Sequence, residues 1–103
     1  MKLLTVLLAL AMGSTAALAK NVVIDVRTSQ EYSEGHVAGA LNIDHTVIGQ
    51  EISKANVDKN DTVILYCRSG QRSGKAQETL RKMGYLHVEN YGGLEQARKL
   101  LGQ

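Results

Sequence analysis

A chain of 103 residues with no repeat, linker or low-complexity tract has room for one domain and one small core. Its 12 basic and 10 acidic residues leave a formal charge of +2, a balance that gives no reason to expect a nucleic-acid partner. One cysteine excludes an internal disulfide, so in an oxidising compartment the thiol is either incidental or kept for chemistry.

Lys2, the apolar run Leu3 to Met12 and the small-x-small triplet Ala17-Leu18-Ala19 read as a signal peptide over residues 1–19, cleaved after Ala19. A retained anchor is the alternative, but about ten strongly apolar residues are short for a bilayer. The expectation is an exported periplasmic domain over residues 20–103, with no stable membrane association, acting as a monomer. Cleavage removes one lysine and no acid, so the formal charge falls from +2 to +1.

Asn21 to Val26 is apolar and β-branched and predicts a first buried strand interrupted by Asp25. Thr28 and Glu31 have capping-box spacing, so a short helix is expected from about Ser29 to Gly35. Asp25 and Arg27 have two readings. They are either a catalytic pair reaching Cys67, or structural groups, with Arg27 paired to Glu31 and Asp25 bonding loop amides; the second is favoured because buried charges need partners.

Small residues between Gly35 and Ile43 suit a tight passage into a second strand. His36 within it reads as a holder of backbone carbonyls, with general-base catalysis as the alternative. His45 and His87 lack any spacing that suggests metal ligation, so no metal site is readable and no cofactor is expected. Ile48, Ile52 and Ala55 recur at helical intervals, and Asp58 to Asp61 is a polar turn.

The unbroken run Thr62 to Tyr66 reads as a central strand buried on both faces, with Cys67 at its carboxyl end. After Arg68, Ser69, Gly70, Gln71 and Arg72, a helix carries Ala76, Leu80 and Met83 on one face and ends at Arg81, Lys82 and Gly84. Tyr85 to Asn90 predicts a weaker strand, and Gly92-Gly93 releases the chain into a last helix with Leu94, Ala97 and Leu101 inward. Strand and helix alternate four times. This implies an α/β fold with a mostly parallel sheet of about four strands and ligands outside the strands' carboxyl ends.

A loop that leads from a strand into a helix N-terminus turns backbone N–H groups inward and makes an anion-binding concavity. Cys67 would lie at its floor, with Arg68 and Arg72 reinforcing a field that favours thiolate. The competing reading is a buried packing cysteine.

Four segments in this order resemble the rhodanese family of sulfurtransferases in its small single-domain form. They are Ile24 to Arg27; Glu31-Tyr32 with Gly35 to Ile43; Tyr66 to Ser73; and Gly92-Gly93-Leu94. The chain departs from the family in having Asp44 where a proline often follows, and in lacking the leading strand and the aromatic after the double glycine. The resemblance implies a rhodanese-like domain with helices on both faces of the sheet. It also implies thiosulfate:cyanide-type sulfur transfer through a Cys67 persulfide, held by the amides of Arg68, Ser69, Gly70, Gln71 and Arg72, from a small anionic donor such as thiosulfate to a thiol or cyanide acceptor. Two rivals remain: a persulfide carrier or anion-binding module working with a partner protein, and a cysteine phosphatase. The latter resembles Cys-x5-Arg, whereas here four residues separate Cys67 from Arg72.

Overall fold

A computed structural model describes residues 19–103, so the expected leader lies outside the described residues except for Ala19. Four strands, β1 (Asn21–Asp25), β2 (Leu41–Asn42), β3 (Thr62–Cys67) and β4 (His87–Gly93), form one parallel sheet in the order β2-β1-β3-β4. The connections carry α1 (Ser29–Ser33), α2 (Ile48–Glu51) with a 3-10 turn at Ile52–Ala55, and α3 (Gln71–Lys82); α4 (Leu94–Leu100) closes the chain. The α/β architecture expected from the alternation is the one observed.

Period-two alternation along the strands divides the core into two. Val22, Ile24, Val26, Val63, Leu65 and Cys67 face one side and pack with Ile48, Ile52, Ala76 and Leu80 of α2, its 3-10 turn and α3. Tyr66 joins the other side, with Val37, Ala40, Ala97 and the partly buried Val23, Tyr32 and Leu94. Ile24, Leu65 and Leu80 have no exposed surface, and each such burial stabilises the fold by about 1.5–3 kcal/mol relative to exposure. Successive residues Tyr66 and Cys67 thus serve opposite faces of the sheet.

Several local expectations change. The Thr28–Glu31 capping box forms, but α1 ends at Ser33 with Glu34 as its cap, earlier than the expected Gly35. The spacing of Ile48 and Ile52 is realised as one α-turn that tightens into a 3-10 turn and stops at Asn56, whose φ of 56° is left-handed. Met83 is the cap of α3 and 38% exposed, so only Ala76 and Leu80 of the predicted apolar face are buried.

β4 begins and ends later than predicted. Tyr85 is buried in the core before the strand starts. Gly92 and Gly93 stay in the sheet because the strand bulges: Leu65 pairs with Asn90 and Cys67 with Gly93, two steps along β3 against three along β4. Asn90 Oδ1 accepts the Gly92 N–H at 2.9 Å across this bend. A β-carbon on Gly93 would stand 2.5 Å from the Arg68 carbonyl oxygen, so only glycine lets β4 pass this close to the cysteine loop.

Candidate active site

Cys67 ends β3 with its side chain turned toward the start of α3, and it has no exposed surface. Gly70, at φ +94°, turns the loop back so that its N–H donates to Sγ at 3.0 Å. No side chain caps α3, so its first amides are left for whatever sits over the sulfur. The Ser73 hydroxyl lies 3.4 Å from Sγ. Burial pushes the Cys67 thiol up, but the Ser73 hydroxyl and the amides of Ser73, Ser69 and Gly70 outweigh it and bring the pKa down to about 7. Roughly half of the sulfur is then thiolate at neutral pH, the state needed for attack. The packing-cysteine reading accounts for the burial but not for donors converging on the sulfur.

The two arginines of the loop have different fates. Arg72 is engaged by Glu31 through two hydrogen bonds, at 2.8 and 3.0 Å. Arg68 has no carboxylate within ion-pair distance among the described residues, and with Ser69 it lines a cleft of about 570 Å³. Gly93, Leu94 and Gln96 line it too, and Arg27, Glu31, Glu34 and Glu95 add charge. Gln71 is the first residue of α3, with its side chain exposed. The structure therefore brings Ser69 and Gly70 to the sulfur through their backbones, puts Arg68 at the cleft, and ties Arg72 to the neighbouring helix.

Arg27 does not pair with Glu31, correcting the sequence expectation. It grips Asp25 instead, with Nη2 2.6 Å from Oδ2 and Nε 3.0 Å from Oδ1, while its own backbone N–H donates to Oδ1 at 2.9 Å. The Tyr66 hydroxyl donates to Asp25 Oδ2 at 2.9 Å and accepts the Val37 N–H at 2.9 Å. One residue separates Asp25 from Arg27, so both side chains leave on the Tyr66 face of the sheet, opposite the Cys67 side chain, and Arg27 reaches the cleft only at its rim. This is the structural role favoured above, with a different partner.

His36 has the structural role as well. Its Nδ1 donates to the Tyr32 carbonyl at 2.7 Å, since a carbonyl can only accept, and its ring stacks on Tyr32 with centroids 3.6 Å apart. No three His, Cys, Asp or Glu side chains among the described residues are placed to hold a metal ion.

Two side chains at the site had no place in the sequence argument as donors. Ser73 stands at the third position of α3, where amides are free, and that register could have flagged it. Asn90 could not be found from sequence, because only the β4 bulge carries it to the loop.

A family model described as a Rhodanese-like domain matches residues 9–99. The Escherichia coli protein named Thiosulfate sulfurtransferase PspE is 51% identical over 72 residues, 70% of this chain and 69% of that protein. An uncharacterized Bacillus subtilis protein, YqhL, is 40% identical over 78 residues, 76% of this chain and 60% of its own length. Among solved structures, a rhodanese with anions from E. coli is 49% identical and superimposes with a TM-score of 0.71, covering 74% of this chain and 89% of that one.

Proposed function

The chain belongs to the rhodanese-like domain family, and from that premise we propose that it is a thiosulfate sulfurtransferase working through a persulfide on Cys67. The observation that carries this reading is the sulfur itself, held at the end of β3 by the Gly70 amide beside the uncapped start of α3, with its pKa brought to about 7. The E. coli relatives support it, one by its name as a thiosulfate sulfurtransferase and the other by having been solved with anions.

In the first half-reaction the Cys67 thiolate attacks the outer sulfur of thiosulfate. The donor's S–S bond breaks with its electron pair leaving on sulfite, and a new Sγ–S bond leaves the negative charge on the transferred sulfur. In the second, the carbon of cyanide or the sulfur of a thiolate attacks that outer sulfur, and the Sγ–S pair returns to Cys67 as thiolate. Amide donors at a helix start stabilise the anion at both stages. Because Sγ has no exposed surface, the donor enters by the cleft at Arg68 and Ser69 and displaces the part of the loop that covers the sulfur. Arg68 is the cation that receives it.

Lys2, the apolar run behind it and Ala17-Leu18-Ala19 support export, cleavage after Ala19 and work in the periplasm, although residues 9–19 fall within both the leader and the family match. A monomer is supported by the sheet's end strand: the Val88 carbonyl of β4 takes hydrogen bonds from Gln77 and Arg81, which blunts that edge. Intact-mass analysis after thiosulfate treatment tests the chemistry, with one added, reducible sulfur atom as the expected result. Ping-pong turnover with thiosulfate and cyanide makes the protein an enzyme. Loading without turnover makes it a carrier, and no loading removes the proposal.

A further inference from the structure

Asn90 lies outside the sulfur loop but holds it at Gly70 and at Ser73, and holds its own strand at Gly92. Its Nδ2 donates to the Gly70 carbonyl at 3.0 Å, and its Oδ1 accepts from the Gly92 N–H at 2.9 Å and from the Ser73 hydroxyl at 2.7 Å. The first two contacts fix which way the amide points, because a backbone N–H must meet oxygen and a carbonyl must meet nitrogen. The Ser73 hydroxyl therefore spends its single proton on Asn90.

This has a consequence at Cys67. With its proton on Asn90, Ser73 Oγ presents only lone pairs to the sulfur 3.4 Å away, so the contact is satisfied when Sγ carries a proton to donate. Lone pairs facing a thiolate repel it. When the thiol proton leaves to water, the hydroxyl must rotate, and its hydrogen must pass from Oδ1 to the sulfur. Asn90 is then not stranded, because Oδ1 keeps the Gly92 N–H. No proton changes owner in that rotation.

We propose that Asn90 is a positioning residue for the sulfur chemistry, holding the Ser73 hydroxyl as a two-position switch that points to Asn90 when Cys67 is uncharged and to Sγ when it is a thiolate. This rests on the reading of Cys67 as the sulfur-transfer nucleophile. In the persulfide the charge has moved to the outer sulfur, Sγ is neutral, and the hydroxyl returns to Asn90. The pair thus follows the charge around the cycle, and the buried hydroxyl has a partner in each state. By supplying that partner in the neutral state, Asn90 keeps the thiol from becoming too acidic, and a less acidic thiolate is the better nucleophile.

The sign of this effect separates it from mere support of the loop. Removing Asn90 strips the hydroxyl of its alternative acceptor, leaves the neutral state unsatisfied, and so favours thiolate. The test is the pH profile of Cys67 alkylation by iodoacetamide, which needs no sulfurtransferase turnover and stays informative even if the chain proves to be a carrier. In Asn90→Ala the midpoint should fall by about 0.5–1 pH unit, the size of one ordinary hydrogen bond. In Ser73→Ala it should rise by a similar amount, and the double variant should match Ser73→Ala, because without the hydroxyl Asn90 has nothing to switch. A midpoint in Asn90→Ala that stays put, as when water replaces the amide, or one that rises, as a slackened loop would make it, overturns the proposal. So does a double variant that falls below Ser73→Ala.

Discussion

Arg72 and Glu31, 41 residues apart in the chain, face each other as a two-pronged ion pair, Nη1 to Oε1 at 2.8 Å and Nη2 to Oε2 at 3.0 Å. Glu31 is also the third residue of α1 and closes its capping box, accepting from the Thr28 N–H at 3.1 Å. The pairing with Arg72, helped by Thr28, holds the Glu31 carboxyl down at about 2. The pair therefore stays intact across the range in which Cys67 titrates. Arg72 is a cation whose charge is already answered, which is why the proposed anion-facing role is given to Arg68.

Glu31→Gln tests this directly, because glutamine can keep the capping box while removing the charge. One extra positive charge felt by a dianion across several ångströms of water-like surroundings is worth ~1 kcal/mol, or about fivefold in thiosulfate KM. The KM should fall by that amount at low salt, and the gain should fade at about 1 M salt. A KM that does not move would show that Arg72 is electrostatically remote from the donor even when released.

Arg68→Ala should lower kcat/KM for thiosulfate by about ten- to a hundredfold, the loss of a charge-assisted contact of roughly 1.5–3 kcal/mol. Alkylation of Cys67 by a neutral reagent should change far less, since Ser73 and backbone amides lead the groups that lower the thiol pKa. Thiosulfate kinetics and salt dependence unchanged in Arg68→Ala would leave anion selection to the backbone loop alone.

Cys67 itself gives a prediction with a defined pH window. Its folded pKa of about 7 lies below the ordinary 9.0, so alkylation should rise through a midpoint near 7. A depressed acid also stabilises the fold most above its unfolded pKa, so stability should increase as pH climbs from about 7 to about 9, and that increment should vanish in Cys67→Ser. The serine variant should remain folded and take up no sulfur from thiosulfate. Sulfur loading in Cys67→Ser, read by intact mass, would count decisively against the mechanism.

The parts of this molecule that sequence reveals are those set by local rules. Thr28 and Glu31 announce their capping box by spacing, and Thr62 to Tyr66 announces a central strand by composition; the strand and cysteine loop then follow with nothing between them to misplace. Partner choice among charges is not local. Arg27 lies four residues before Glu31, a spacing that invites pairing, yet α1 starts after Arg27 and the guanidinium folds back onto Asp25. Glu31 then waits for Arg72, which arrives from across the sheet. Asn90 is the extreme case, since the bulge that aims it depends on the pairing of Cys67 with Gly93.

His36→Ala should cost stability and spare turnover per folded molecule. The ring supplies a hydrogen bond to the Tyr32 carbonyl and a stacked face, together worth about 1–2 kcal/mol. Urea denaturation should show the loss, while kcat normalised to titrated thiol stays near the parent value. Normal stability with collapsed turnover would return His36 to the chemistry.

Tyr66→Phe probes the buried ion pair without removing either charge. The hydroxyl stands between the Val37 N–H and Asp25 Oδ2, and burial, with help from Asp25, pushes its pKa up to about 12, so it remains a donor at every pH at which the protein works. Phenylalanine keeps the ring that packs in the second core and under the Arg27 guanidinium, 5.7 Å from its centroid, but leaves the buried Val37 amide without an acceptor. The cost should be about 1–3 kcal/mol, the price of one stranded polar group. Asp25→Ala is the harsher comparison: it leaves Arg27, 8% exposed at the side chain, as an uncompensated charge, which costs about 3–5 kcal/mol and threatens the fold of so small a domain. Because Tyr66 faces away from Cys67, the alkylation midpoint of the phenylalanine variant should remain near 7 even as its urea midpoint falls. A shifted thiol midpoint at unchanged stability would mean that the Asp25–Arg27–Tyr66 network is coupled to the sulfur through β3.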